Sequence, residues 1–135
     1  MANERKKPTI LVVDDHTPIL HALKLRLKSA NYNVVIAHDC VSGAMKARET
    51  NPDIAVLDVN LPGGSGFELA KRIDTICEKT VRKIFITASR DEEFRYNAKK
   101  CGAVEFLEKP FTSDTLFDAI FQAEDSMPHS GNSFG

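Results

Sequence analysis

A doubly wound α/β domain, with five parallel strands alternating with five helices, is the fold class this sequence predicts, and three observations predict it. Five short apolar runs (9–13, 34–37, 53–57, 83–87 and 104–107) are bounded by turn signals, the pattern of strands buried on both faces. Segments with apolar residues at helical spacing lie between and after them. That order requires right-handed crossovers and a parallel sheet with helices on both faces. The length of 135 residues, with 42% hydrophobic and 27% charged residues, suits one ordinary domain with one core.

Residues 1–8 read as a flexible polar tail ending at Pro8, and 9–125 as the domain. Thr9-Ile10-Leu11-Val12-Val13 is the first strand and ends at Asp14-Asp15. Thr17-Pro18 predicts a helix start, with Thr17 as N-cap and Pro18 at the first helical position. Ile19, Leu20, Leu23 and Leu27 then recur at helical spacing until Asn31-Tyr32-Asn33 breaks the helix. Val34-Val35-Ile36-Ala37 is the second strand. Asp39 caps a second helix over roughly 40–50, with Ala44, Met45 and Ala47 on its inner side and Asn51-Pro52 as the stop. Gly43 inside it costs about 0.5–1 kcal/mol relative to Ala, so an irregular helix is expected there.

The third strand, 53–57, runs into Asp58 and a turn rich in Gly and Pro. Gly66 to about Ile76 is a third helix, apolar at Phe67, Leu69, Ala70 and Ile73. Lys83-Ile84-Phe85-Ile86-Thr87 is the fourth strand. Asp91-Glu92-Glu93 supplies first-turn acids for a fourth helix that stops at Gly102. Val104-Glu105-Phe106-Leu107 is a short fifth strand, followed by Lys109-Pro110. Ser113 or Asp114 caps a last helix carrying Leu116, Phe117, Ile120 and Phe121, and 126–135 reads as a tail or a truncated linker.

Composition excludes several classes. A net charge of −1 offers no electrostatic case for direct nucleic-acid or membrane binding, and the basic start Arg5-Lys6-Lys7 is too short to make one. Cys40, Cys77 and Cys101 are far apart and odd in number, without the ligand spacing of a zinc site or a disulfide framework. Free thiols suit a reducing compartment. With no apolar leader and no run of 18 apolar residues, a soluble cytoplasmic protein is the expectation.

The chemistry lies at the C-terminal strand ends, which converge on one crevice in an open parallel sheet. They bring Asp14 and Asp15, Asp58, Thr87 and, just past the fifth strand, Lys109. Taken singly these are ordinary: an Asp pair after a strand is more often a turn or cap, Thr87 a strand terminator, and Lys109 surface charge. Together they put three carboxylates against one ammonium, so a carboxylate must take a proton or a divalent cation must bind. Oxygen ligands suit hard Mg²⁺. Mg²⁺ beside a carboxylate nucleophile, with Lys and Thr donors, is the equipment of phosphoryl transfer. No Walker A sequence is present, so the phosphoryl donor should come from outside.

These motifs resemble the receiver domains of two-component response regulators over about residues 8–125. Ile10 to Asp15 is similar to the family's first strand and acidic pair, and Asp58 to Leu69 to its phosphoacceptor loop and following helix. Ile84 to Ala88 is similar to its switch-Thr strand, and Lys109-Pro110-Phe111 to its Lys-Pro-Phe signature. The resemblance implies a flavodoxin-like sheet of order 2-1-3-4-5. It also implies that Asp58 accepts a phosphoryl group from a phosphohistidine on a sensor histidine kinase or a phosphotransfer protein. Mg²⁺ would be held by the side chains of Asp15 and Asp58, the backbone carbonyl of Asn60, and Asp14 through a water. Lys109 would hold a phosphate oxygen, Thr87 would move inward to donate to the phosphate, and Phe106, the switch aromatic, would turn inward with it.

The readout surface would then be the fourth helix, fifth strand and fifth helix, roughly 91–125, facing an effector domain or a second copy. Arg90, Arg95, Tyr96, Lys99 and Lys100 are its candidate exposed contacts. Asn60 and Ser89 lie where receivers tune phosphoryl lifetime. Two other classes compete. An Mg²⁺-dependent aspartyl-phosphate phosphatase needs an acid/base two residues after the nucleophile, where this chain has Asn60. A binding module, either FMN-binding or a docking-only receiver-like domain, fits poorly, because two acids follow the first strand and no acid, Thr or Lys is missing.

Overall fold

The computed structural model describes residues 7–88 and 92–125. Residues 1–6 of the expected N-terminal tail (1–8), the expected C-terminal tail (126–135), Ser89, Arg90 and the first-turn acid Asp91 lie outside the described residues. The elements are β1 (Thr9–Val13), α1 (Thr17–Ser29), β2 (Asn33–Ala37), α2 (Cys40–Thr50), β3 (Ile54–Asp58), α3 (Gly66–Ile76), β4 (Arg82–Thr87), α4 (Glu92–Lys100), β5 (Ala103–Glu108) and α5 (Ser113–Asp125). The five long strands form one parallel sheet in the order β2-β1-β3-β4-β5, which is the topology expected.

The strand sequences explain the two layers. Their apolar runs do not alternate with polar residues, because both faces are covered. Leu11, Val13, Ala55, Leu57 and Phe85 point to one side and pack with Ala47 of α2, Leu69 and Ile73 of α3, and Ala98 of α4. Ile10, Val12, Ile54, Val56, Ile84 and Ile86 point to the other and pack with Leu20 and Leu27 of α1 and Leu116, Ile120 and Ala123 of α5. The central strands are therefore sealed, and polar chemistry is confined to their ends.

Several local expectations are corrected. The N-cap of α1 is His16, not Thr17, and it makes no side-chain cap. The His16 N–H donates to Asp14 Oδ1 at 2.9 Å, which turns the chain one residue early. Met45 lies on the outer side of α2 at 56% exposure. The buried stripe of that helix is Cys40, Gly43 and Ala47, and Met45 falls about 200° around from Gly43 at 3.6 residues per turn. Gly43 leaves α2 unbroken. A Cβ there would meet Leu69 Cδ2 at 2.8 Å and Val13 Cγ2 at 3.3 Å, so the glycine lets α2 seat closely on β1 and α3. The cap of α5 is Thr112, whose Oγ1 accepts from the Thr115 N–H at 3.1 Å, rather than Ser113 or Asp114. Phe121, on α5, is 68% exposed. The cap at Asp39 is as expected: its carboxylate accepts from the Ser42 N–H at 2.7 Å in a capping box.

Candidate functional site

The crevice is built by strand ends. Asp14 directly follows β1 and continues its pairing, donating its N–H to the Ala37 carbonyl at 3.2 Å. Its carboxylate is fully buried. Asp15 is exposed at the mouth. Asp58 is the last residue of β3, in register with Ile86 of β4, and is only 5% exposed. One carboxylate oxygen from each of Asp14, Asp15 and Asp58 lies within 4.8 Å of the others. The three acids predicted from separate strand ends thus form one cluster.

Lys109 enters from beyond β5. Its N–H donates to the Thr87 carbonyl at 2.7 Å, which fixes where its side chain starts. Its ammonium then donates to Asp58 Oδ2 at 2.9 Å. The same nitrogen is 2.9 Å from Asp14 Oδ2, a charge contact without hydrogen-bond alignment, so that buried oxygen has no aligned donor. Asp58 Oδ1 accepts from the Asn60 N–H at 3.0 Å, which holds the carboxylate against the start of the loop.

Burial pushes the Asp58 carboxyl above the ordinary aspartate value, and the charge of Asp14 adds to the push; the hydrogen bonds from Lys109 and Asn60 oppose it. Burial pulls the Lys109 ammonium down, but its hydrogen bond to Asp58 and its charge contacts with Asp58 and Asp14 outweigh that and leave it raised. Three carboxylates facing one ammonium leave net negative charge in a mostly buried crevice. A buried, imperfectly satisfied Asp14 oxygen and an all-oxygen donor set fit a hard divalent cation such as Mg²⁺.

The two residues expected to act as a switch occupy the adjoining strands. Thr87 ends β4, fully buried and paired with Glu108 of β5. Phe106 is half-buried, opposite Phe85 and two residues before Glu108. The described contact residues of α4 (Arg95, Tyr96, Lys99 and Lys100) are all exposed.

Two features of the loop after Asp58 escape sequence reasoning. Asn60–Leu61 and Gly64–Ser65 pair as a short antiparallel ladder, which turns the chain tightly back toward α3. Gly66, the first residue of α3, then approaches the site so closely that a Cβ would lie 2.2 Å from the Asp58 carbonyl oxygen. Its N–H donates to the Val59 carbonyl at 2.8 Å. The available signal was a glycine directly after Ser65, whose side chain caps the helix by accepting from the Glu68 N–H at 3.1 Å. It reads as ordinary helix-start punctuation until the neighbouring backbone is seen.

Residues 10–121 match the family model described as the response regulator receiver domain. The chain is 33% identical over 111 residues to the response regulator ArlR of Staphylococcus haemolyticus, covering 82% of this chain and 50% of ArlR. It is 29% identical over 112 residues to protein PilH of Pseudomonas aeruginosa, covering 82% of this chain and 93% of PilH. The non-phosphorylated HemR receiver domain from Leptospira biflexa superposes with a TM-score of 0.82 at 33% identity, covering 92% of this chain and all (100%) of that one. The chain therefore spans about half the length of ArlR and nearly all of PilH.

Proposed function

Because the chain belongs to the response regulator receiver family of two-component signalling, we propose that Asp58 is its phosphoacceptor, taking a phosphoryl group from a phosphohistidine of a sensor histidine kinase or phosphotransfer protein. The observation that carries this reading is the Asp58 carboxylate, seated at a strand end between the Lys109 ammonium and two further acids. The domain spans 9–125 in this reading.

Receiver domains bind Mg²⁺, and this chain has the acidic cluster for it. Here Asp15 and Asp58 would hold the ion through their carboxylates, Asn60 through its carbonyl, and Asp14 through a water. Bound there, Mg²⁺ supplies positive charge to offset the phosphoryl oxygens. The residues do the rest. An Asp58 carboxylate oxygen forms the new P–O bond as the P–N bond to the donor imidazole breaks and its electron pair returns to the ring nitrogen. Lys109, already bonded to Asp58, neutralises a second phosphoryl oxygen. Thr87 then donates its hydroxyl to the phosphoryl group. Phe106 follows into the space Thr87 leaves.

In the product a phosphoryl group carrying roughly 1.5–2 negative charges, with three acceptor oxygens, replaces the single charge of the Asp58 carboxylate at one strand end. The β4 and β5 ends respond, and α4, β5 and α5 present the change to an effector domain or a second copy. Asn60 stands where a phosphatase would need its acid/base, so Asp58 holds a signal and loses it slowly, rather than turning over quickly. No helix among the described residues is long and apolar enough to cross a membrane.

The test is adduct formation. With Mg²⁺ and acetyl phosphate the protein should gain the mass of a single phosphoryl group, and Asp58→Asn should gain none. Equal labelling of the variant would remove Asp58 from the role. Asp15→Asn should weaken Mg²⁺ binding sharply in a direct titration.

A further inference from the structure

The guanidinium carbon of Arg95 lies 5.2 Å from the centroid of the Phe106 ring. Arg95 is exposed on α4, while Phe106 is half-buried and packs into the core on the α4 side of the sheet. At that range a planar cation is attracted to the negative face of the ring. Phe106 pairs with Phe85 and Glu108 with Thr87. Residues two apart on a strand share a face, so Phe85 and Thr87 both point toward α4 and Phe106 sits diagonal to Thr87.

We infer that Arg95 is a positioning residue of the switch: its guanidinium stacks on Phe106, holds the ring in its present placement, and must unstack when the ring follows Thr87 toward Asp58. The inference rests on the reading of Asp58, Thr87 and Phe106 above and adds to it the group that opposes the change. A contact made in only one of two states shifts their equilibrium by its own differential strength. For a partly exposed cation–π pair that shift is about two- to five-fold. The same guanidinium, once released, is freed on the exposed face of α4, so ring packing and surface charge change together.

The direction of the effect separates this role from plain electrostatics. Removing a cation from the vicinity of a phosphorylated site should weaken anion binding. Removing the group that restrains the ring should strengthen it, because apparent affinity scales with the fraction of protein in the competent state.

The experiment titrates beryllofluoride, a phosphoryl mimic, in the presence of Mg²⁺ and reads the adduct by ¹⁹F NMR. The proteins are the unmodified chain, Arg95→Ala, Phe106→Leu and the double variant. Arg95→Ala should lower the half-saturating concentration by about two- to five-fold. In the Phe106→Leu background the same substitution should change nothing. Without beryllofluoride, the Phe106 ring resonances of Arg95→Ala should move toward their adduct positions, a change that loss of a surface charge would not produce. Arg95→Lys, which keeps the cation and loses the planar stack, should fall between. An unchanged or raised concentration for Arg95→Ala, or an equal effect in both backgrounds, would overturn the role. If the unmodified chain takes up no beryllofluoride, or Asp58→Asn takes it up equally, the phosphoacceptor reading is what fails, and this inference falls with it.

Discussion

Replacing Gly66 by Ala tests whether the floor of the site is set by a backbone approach that only glycine allows. The added Cβ would lie 2.2 Å from the Asp58 carbonyl oxygen, 2.9 Å from its carbonyl carbon and 3.1 Å from Val59 Cα. Ordinary van der Waals contact begins near 3.4 Å, and all three atoms belong to the backbone. Asp58 is tied into the sheet opposite Ile86, and the Val59 N–H donates to the Ile86 carbonyl at 2.9 Å, so the strand cannot yield cheaply. The start of α3 must move instead and stretch the 2.8 Å bond from Gly66 N–H to the Val59 carbonyl. Overpacking of this kind costs about 1–3 kcal/mol and the lost hydrogen bond about 0.5–1.5 kcal/mol. A total of about 2–4 kcal/mol lowers Tm by roughly 8–16 °C for a domain of this size.

The functional loss should be larger. A displacement of about 1 Å at a reacting group can lower a rate by about 100-fold. Calorimetry and the initial rate of acetyl phosphate labelling measure the two effects. Gly43→Ala is the comparison. Its Cβ meets side chains and no backbone, Leu69 Cδ2 at 2.8 Å and Val13 Cγ2 at 3.3 Å, so a small repacking of the core suffices, and the gain of about 0.5–1 kcal/mol in helix propensity offsets part of its cost. That variant should stay within about 1 kcal/mol of the parent and label normally. A Gly66→Ala protein that melts and labels like the parent would refute the close-approach argument. One that loses stability but keeps its labelling rate would refute the link to Asp58.

Other outcomes follow from the charge balance and from burial. Without Mg²⁺, Asp58 should titrate above the ordinary aspartate value by carboxyl ¹³C NMR; Lys109→Met should raise it further by removing a hydrogen bond that favours the charged form, and Asp14→Asn should lower it by removing a like charge. Burial pushes the Cys40 and Cys77 thiols up, whereas Cys101 is half-buried. Mass spectrometry of iodoacetamide-treated protein at neutral pH should therefore find Cys101 modified first, with Cys40 and Cys77 reacting only at more alkaline pH or on unfolding.

Most of the architecture was legible in the chain. The unbroken runs Ile10–Val13 and Ile54–Leu57 signal strands covered on both faces, because a strand with one wet face would have to alternate. Acids immediately after such runs point to the strand ends, since a charge is rarely buried unless it is paired. Errors collected where one residue decides a local geometry. Met45 fits a helix pattern of either phase, and only the packing of Gly43 against Val13 and Leu69 selects the inner face. Thr17 and Ser113 carry the right chemistry for caps, but the His16 and Thr112 carbonyls accept from the Leu20 and Leu116 N–H groups and start the helices one residue sooner.

The sequence by itself determined the fold class and the strand ends at which Asp14, Asp15, Asp58, Thr87 and Lys109 stand, because apolar runs and the polar residues that end them are local patterns. Only the tertiary structure decided the distances among them. The 4.8 Å cluster of carboxylates, the single ammonium in contact with both Asp14 and Asp58, the glycine pressed against the Asp58 backbone and the guanidinium stacked on Phe106 join residues far apart in the chain or held together by a turn. Such contacts depend on strand order, register and helix phase, which are set by the packing of the whole sheet and not by any one segment.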